Sequence, residues 1–273
     1  MHKEYAYAKI NIALDVVRKN DNGYHDLKMI MIPLELADEL TFSLSEDINV
    51  TSSVDIEDNG IKKAATLLKE TYHIDKGAHI TCKKEIPIGA GLGGGSADIA
   101  ATLRGLNILW ELNLSYKELE SLALKLGSDT VFCLYNKPAY VYGRGEHLMF
   151  IQSPGIDQVY LFYPHVQVST KRIFDTHAIN FEHKRFNRLF TLYINENYRE
   201  FFRKTYNVLT QTTLNEYPEL VNFSKKMTNL SPLSRMSGSG STFFIPIFNQ
   251  SEHKIHKKCQ KLGIEPIKTR VKN

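Results

Sequence analysis

No run of about 18 consecutive apolar residues occurs in this chain, which removes a membrane-spanning helix from the candidates. Cysteine is scarce. Cys82, Cys133 and Cys259 are odd in number, far apart and without the paired spacing of a zinc site. That excludes a disulfide framework and predicts free thiols in a reducing compartment. Neither sign of charge dominates, with 34 Lys and Arg against 30 Asp and Glu and a net charge of +4. So mild an excess suits an anionic small ligand and lacks the clustered basic face that nucleic acid needs. The basic tail from Lys254 to Lys272 reads as a solvated helix face. Met1 to Tyr7 is polar and aromatic, unlike a signal peptide, so a cytoplasmic protein without membrane contact is expected. The 273 residues, 42% hydrophobic and 23% charged, fit a soluble globular chain of one large domain or two modest ones. Either can bury a substantial core.

Glycine is unevenly spent. Five of the 16 fall within twelve residues, Pro87-Ile88-Gly89-Ala90-Gly91-Leu92-Gly93-Gly94-Gly95-Ser96-Ala97-Asp98. A strand-like run, Ala78 to Cys82, precedes this stretch, and a helical run, Ala97 to Leu109, follows it. Free N–H groups at a helix start, together with the helix dipole, favour phosphate. Ser96 reads as a cap or hydroxyl ligand at that helix start. No Gly-Lys-Ser/Thr follows, so this is not the common P-loop, and no acidic-ended βαβ unit follows either. A plain turn remains the alternative, but one or two glycines would serve it.

Along the chain, Tyr7 to Val17 predicts a strand in which Ile10, Ile12, Leu14 and Val16 alternate with Lys9, Asn11, Ala13 and Asp15. Asn22-Gly23 is a hairpin-turn signal with Tyr24-His25 just past it. Met29 to Leu36 and Glu39 to Phe42 predict two further strands. Asp58 or Asn59 caps a helix whose face is Ile61, Ala64, Ala65 and Leu68. Ser115 to Glu118 is a capping box, Leu119, Leu122 and Leu126 form a stripe, and Gly127 closes the helix. Asp129, polar before an apolar run, reads as a turn or cap aspartate or as a functional carboxylate. Ser153-Pro154-Gly155 marks a boundary. Val159 to Tyr163 is an apolar strand. Helical patterns from Phe181 to Lys226 put Phe186, Leu189, Phe190 and Tyr193 on one core face. A second glycine-rich loop, Ser237 to Ser241, precedes a strand from Thr242 to Phe248.

The stretch Pro87 to Asp98 resembles the phosphate loop of the GHMP small-molecule kinases. Met236-Ser237-Gly238-Ser239-Gly240-Ser241 resembles the third signature of that family. Ser128-Asp129-Thr130-Val131-Phe132 resembles its Gly-Ala-Asp-x-Pro-Phe segment, with Ser128 for alanine and Val131 for proline. Three more stretches point to an isoprenoid-pathway branch whose substrate carries cytidine diphosphate: Ala8-Lys9-Ile10-Asn11, Gly23-Tyr24-His25 and Ser169-Thr170-Lys171-Arg172-Ile173-Phe174. Gly143-Arg144-Gly145-Glu146 matches a further segment of that branch, with a structural turn expected there. Gly60 departs from the leucine usual after Asn59, and Asn207-Val208-Leu209-Thr210 from a more acidic run.

The resemblance implies an α+β, two-domain GHMP kinase fold. Its N-terminal domain, 1–153, would be like domain 2 of ribosomal protein S5 and bind ATP. Its C-terminal domain, 154–273, would be ferredoxin-like and lie on the substrate side. The implied reaction moves the ATP γ-phosphoryl group to a substrate hydroxyl with Mg²⁺. Asp129 would take or orient the hydroxyl proton, and Lys9 would stabilise developing charge. Pro87, the run Gly89 to Ser96, and Asn59 would hold ATP, with Ser96 also near Mg²⁺. Asn11, Tyr24, His25, Thr170 and Phe174 would hold the substrate, Tyr24 and Phe174 sandwiching the cytosine. A monomer or weak homodimer is expected. Another GHMP kinase activity, or a non-catalytic nucleotide-binding protein on the same scaffold, stays open at this point.

Overall fold

The computed structural model describes residues 1–21, 23–54, 59–179, 184–248 and 252–272. The expected turn residue Asn22, the alternative cap Asp58 and the helical pattern's start at Phe181 lie outside them. Ten strands and ten helices follow one another in mixed order among the described residues. They form two compact units that interleave along the chain. One comprises Met1–Lys9, Leu36–Ile88 and Gly93–Asn136, and the other Ile10–Glu35, Gly89–Leu92 and Lys137–Asn273. Strands β1 (His2–Lys19) and β2 (His25–Ser45) run from one unit into the other.

In the first unit, Glu39–Ser45 of β2 pairs antiparallel with β4 (Gly77–Lys83), which pairs in parallel with β3 (Ile48–Ser52). Its helices are α1 (Gly60–Thr71), α2 (Gly94–Leu109), α3 (Tyr116–Leu126) and α4 (Thr130–Tyr135). Asn59 caps α1, its side-chain oxygen accepting from Ile61 N–H at 3.1 Å and Lys62 N–H at 3.3 Å. The expected face of α1, Ile61, Ala64, Ala65 and Leu68, is buried. Gly60 has a packing reason: a Cβ there would meet Ile99 of α2 at 2.8 Å. Ala97, Ala100 and Ala101 are buried as expected, and α2 lies so close to the sheet that a Cβ on Gly105 would meet Phe42 at 2.5 Å. Fully burying a ring such as Phe42 contributes about 1.5–3 kcal/mol.

Three local expectations are corrected. Ser96 does not cap α2. Gly93 does, with a left-handed backbone (φ 72°) and no side-chain bond, which places Ser96 inside the first turn. Gly127 follows α3 in an extended conformation rather than a left-handed one, because the chain turns straight into α4. The buried stripe of α3 is Leu119, Leu122 and Ala123, with Leu126 only half-buried. The capping box itself is present: Glu118 N–H donates to Ser115 Oγ, and Ser115 N–H to the Glu118 carboxylate at 2.8 Å.

In the second unit, Leu27–Met31 of β2 pairs with β5 (Ala139–Gly143), which pairs with β6 (His147–Phe150). A separate antiparallel sheet has the order β10-β7-β9-β8, from Ile267–Arg270, Gln158–Phe162, Phe243–Ile247 and Arg235–Met236. Helices α5 (Thr170–Thr176), α6 (Lys184–Ile194), α7 (Tyr198–Lys204), α8 (Leu209–Glu216), α9 (Leu220–Leu230) and α10 (Glu252–Leu262) complete it. Phe186, Leu189 and Tyr193 are buried on α6 as the pattern predicts. The basic tail is a solvated face as expected at Lys254, Lys257 and Lys261, with one exception. Lys258 donates to Leu230 O at the end of α9, where the helix dipole favours a cation.

Strand β1 departs from simple alternation. Every residue from Ala8 to Val16 is buried, Lys9, Asn11 and Asp15 included. Buried polar side chains are costly unless partnered, so that polar face has work to do inside the protein.

Candidate active site

Lys9 ends the part of β1 that belongs to the first unit. It is 3% exposed, and its Nζ lies 3.1 Å from Asp129 Oδ2. Asp129 occupies the cap position of α4 yet makes no capping bond. Its carboxylate is thus spent on the lysine, which decides against a mere cap aspartate. The turn closes without the family's proline, since Thr130 N–H reaches Gly127 O at 3.2 Å and Cys133 N–H reaches Asp129 O at 3.1 Å. Buried Val131 packs where proline was expected.

Two features hold this pair. A Cβ on Gly93 would lie 2.8 Å from Lys9 Cε and Cγ, so only glycine lets the lysine stem pass beneath the start of α2. Arg104 of α2 binds both partners' elements. It donates to Tyr5 O (3.0 Å) and Glu4 (3.0 Å) on β1 and to Cys133 O (2.9 Å) on α4. Nothing in the sequence signalled Arg104, because its acceptors are mostly backbone carbonyls remote along the chain.

Gly94, Gly95 and Ser96 form the first turn of α2, whose N–H groups have no partners within the helix. A Cβ on Gly94 would meet Ile86 at 3.1 Å, whereas one on Gly95 would meet nothing within 4 Å. The turn is therefore open at Gly95 and suits an anion brought close to backbone. Asn59 lines a cavity of about 620 Å³ with Lys62, Lys63, Thr66, Lys125 and Leu126.

In the second unit, Ala90 and Gly91 lie against the other glycine-rich loop, and Gly89 against Gln167 and Val168. Ser237 Oγ donates to Gly91 O at 2.9 Å, Thr242 N–H to Ala90 O at 3.1 Å, and Val168 N–H to Gly89 O at 3.0 Å. Gly91 has φ 76°, and a Cβ there would stand 2.3 Å from Ser237 O. Asn207, in the weakest part of the resemblance, braces the second loop. Its Nδ2 donates to Met236 O at 2.9 Å and Gly238 O at 2.7 Å. Thr213 supports the same loop through Ser239 O at 2.9 Å. Thr170 meets Ser239 Oγ at 2.9 Å, and Asn11 N–H reaches Ser237 Oγ at 3.4 Å. Four of the expected residues, Gly91, Ala90, Asn11 and Thr170, thus converge on the second loop.

His25 and Phe174 also meet. Their ring centroids are 5.4 Å apart and tilted by 39°. Burial lowers the His25 pKa, Lys19 lowers it further, and Asp175 opposes both. The ring is neutral at ordinary pH, with one nitrogen donating and the other accepting. Tyr24 is 49% exposed, and the Arg144 guanidinium lies 4.0 Å over its ring. The turn at Gly143 to Glu146 was expected to be structural only. It also delivers Arg144 to that aromatic face, held by Arg144 N–H donating to Glu146 at 2.5 Å.

The chain is similar to known proteins. Residues 59–137 match the family described as the GHMP kinases N terminal domain. The whole fold matches the crystal structure of homoserine kinase from Cytophaga hutchinsonii, with a TM-score of 0.76 at 19% identity over 99% of this chain and 94% of that one. The class is that of GHMP small-molecule kinases. Closer in sequence is a solved 4-(cytidine 5'-diphospho)-2C-methyl-D-erythritol kinase, with a TM-score of 0.77 at 27% identity over 100% of both chains. A 4-diphosphocytidyl-2-C-methyl-D-erythritol kinase of Bacillus cereus (strain B4264) is 39% identical over 260 residues, 92% of this chain and 90% of that one. The chain belongs to the 4-diphosphocytidyl-2-C-methyl-D-erythritol kinase family, and as a small-molecule kinase it uses ATP.

Proposed function

We propose that this kinase phosphorylates the 2-hydroxyl of 4-diphosphocytidyl-2-C-methyl-D-erythritol, with residues of both units in separate roles. The observation that carries the chemistry is the ion pair between buried Lys9 and half-buried Asp129, beneath Gly93. Phosphoryl transfer asks little covalent work of a protein and mostly needs positioning and charge stabilisation. Asp129 orients the acceptor hydroxyl and takes its proton. Lys9 offers a desolvated positive charge where negative charge develops. The open first turn of α2, Gly94 to Ser96, supplies N–H donors to the nucleotide phosphates. Asn59 spends its carbonyl oxygen on the cap of α1, so its amide nitrogen is the part that serves the nucleotide.

Among the described residues, no group of three or more His, Cys, Asp or Glu side chains could hold a metal ion. Mg²⁺ retains waters and takes ligands from substrate phosphates, so it asks for only one or two protein oxygens. Ser96 and Asp129 are the side chains that would approach it. When bound, the ion neutralises phosphate charge.

The neutral His25 ring reads the edge of the cytosine, and Phe174 and Tyr24 supply aromatic faces. Arg144 already covers one face of Tyr24 and holds that ring for the base. Asn11 and Thr170 serve the rest of the acceptor. As a division of function, the phosphoryl-transfer residues Lys9 and Asp129 and the phosphate turn Gly94 to Ser96 lie in the first unit, and the base-recognition residues Tyr24, His25, Arg144 and Phe174 in the second. The kinase acts as a soluble cytoplasmic monomer or weak homodimer. The test is a phosphoryl-transfer assay with ATP and Mg²⁺ against 4-diphosphocytidyl-2-C-methyl-D-erythritol, homoserine and mevalonate. The cytidine-bearing acceptor should be the only efficient one. Equal or faster turnover of another acceptor would overturn the substrate assignment, and no turnover of any would overturn the catalytic one.

A further inference from the structure

Three charged side chains gather where the glycine loop begins and ends, outside the reacting pair. Lys84 directly follows β4, Asp38 is on β2 and Asp98 is in the second turn of α2. Lys84 Nζ lies 2.5 Å from Asp38 Oδ2 and 2.5 Å from Asp98 Oδ2. The other Asp38 oxygen accepts from Glu85 N–H at 2.6 Å and Ile86 N–H at 2.8 Å. Asp38 and Asp98 are buried. One foot of the loop, Lys84 to Ile86, is therefore tied to β2 by three hydrogen bonds. The other foot, the start of α2, is tied to the same lysine through Asp98.

We propose that Asp38, Lys84 and Asp98 are positioning residues for the nucleotide, a buried ion triad that fixes both feet of the glycine loop and so aims the N–H groups of the first turn of α2. This deepens, and rests on, the reading of that loop as the ATP site. Two observations favour it over simple packing. A buried ion triad is a costly way to hold a fold, and apolar residues of similar volume often serve as well or better. Moreover, nothing among the described residues donates to Asp98 Oδ1, which is buried. A network built for stability alone would satisfy that oxygen. The first turn also sits hard on this anchor, since a Cβ on Gly94 would meet Ile86 at 3.1 Å and Lys84 Nζ at 3.6 Å. Movement of the anchor therefore moves the turn.

The test is calorimetric titration of ATP with Mg²⁺ into the protein. Asp98→Asn keeps the shape and removes the charge, so it remains informative where Lys84→Met fails to fold. Wild type should bind ATP several-fold more tightly than Asp98→Asn. Lys84→Met should weaken ATP about tenfold or more, because small misplacements of positioned groups are expensive. Lys84→Arg should recover most of the loss, and KM for the acceptor should stay within a factor of about two. A folded Asp98→Asn that binds ATP like wild type would overturn the proposal and leave the ATP site standing. A wild type that does not bind ATP would overturn both.

Discussion

Asp129 is the residue on which the proposed chemistry turns. It sits at a helix start and refuses the cap, and it spends its charge on Lys9 instead. Asp129→Asn preserves shape and removes the base. The expected loss is about 10²-fold or more in turnover, with acceptor binding largely kept. Near-normal turnover in steady-state kinetics would show a turn residue only. Physics alone left Asp129 undecided in the sequence, because a polar residue before an apolar run suits a cap as well as a catalyst. Family segments named it and Lys9, and the fold then joined two residues distant along the chain. Arg104, Asn207 and Arg144 were not legible as supports. Their partners are largely backbone carbonyls or a ring face, which leave no pattern of residue types to read.

At the scale of the element, the glycine loop was legible because its signal is local. Glycine density, a strand before and a helix after all lie within one window. What stayed hidden was the helix start, since a cap depends on the φ of one residue and Gly93 takes the left-handed region. The loop's test should respect that geometry. Gly94→Val would press on Ile86 and confuse packing with binding, whereas Gly95 faces open space. Gly95→Val should leave the thermal midpoint within a few degrees, because an exposed first-turn substitution away from contacts changes stability by about 0.5 kcal/mol or less. It should weaken ATP by about tenfold or more, as the side chain fills the approach to the backbone. Unchanged ATP affinity by calorimetry, in a folded Gly95→Val, would remove the first turn of α2 from the phosphate site.

At the scale of the molecule, the strands β1 and β2 each serve both units, so the units interleave along the chain. A sequence pattern is linear and registers composition shifts such as Ser153 to Gly155, but not strands shared in this way. The interleaving has a functional consequence for the proposed roles. The Lys9–Asp129 pair and the open turn at Gly95 belong to the first unit, while His25, Phe174, Tyr24 and Arg144 belong to the second. Nucleotide and base recognition should therefore be separable by substitution. Phe174→Ala removes the ring packed at 5.4 Å from His25. Base–aromatic stacking is worth about 1–3 kcal/mol, which predicts a rise of about 5- to 150-fold in KM for the cytidine-bearing acceptor. ATP affinity, read by calorimetry, should stay within a factor of about two, and Gly95→Val should give the converse pattern. Stacking tolerates any base, so the preference for cytosine over uracil should survive Phe174→Ala and fall in His25→Phe, which keeps a ring and removes the edge contact. A Phe174→Ala enzyme with unchanged acceptor KM would take the base away from this ring pair. The Lys9–Asp129 chemistry would then remain, acting on an acceptor recognised elsewhere.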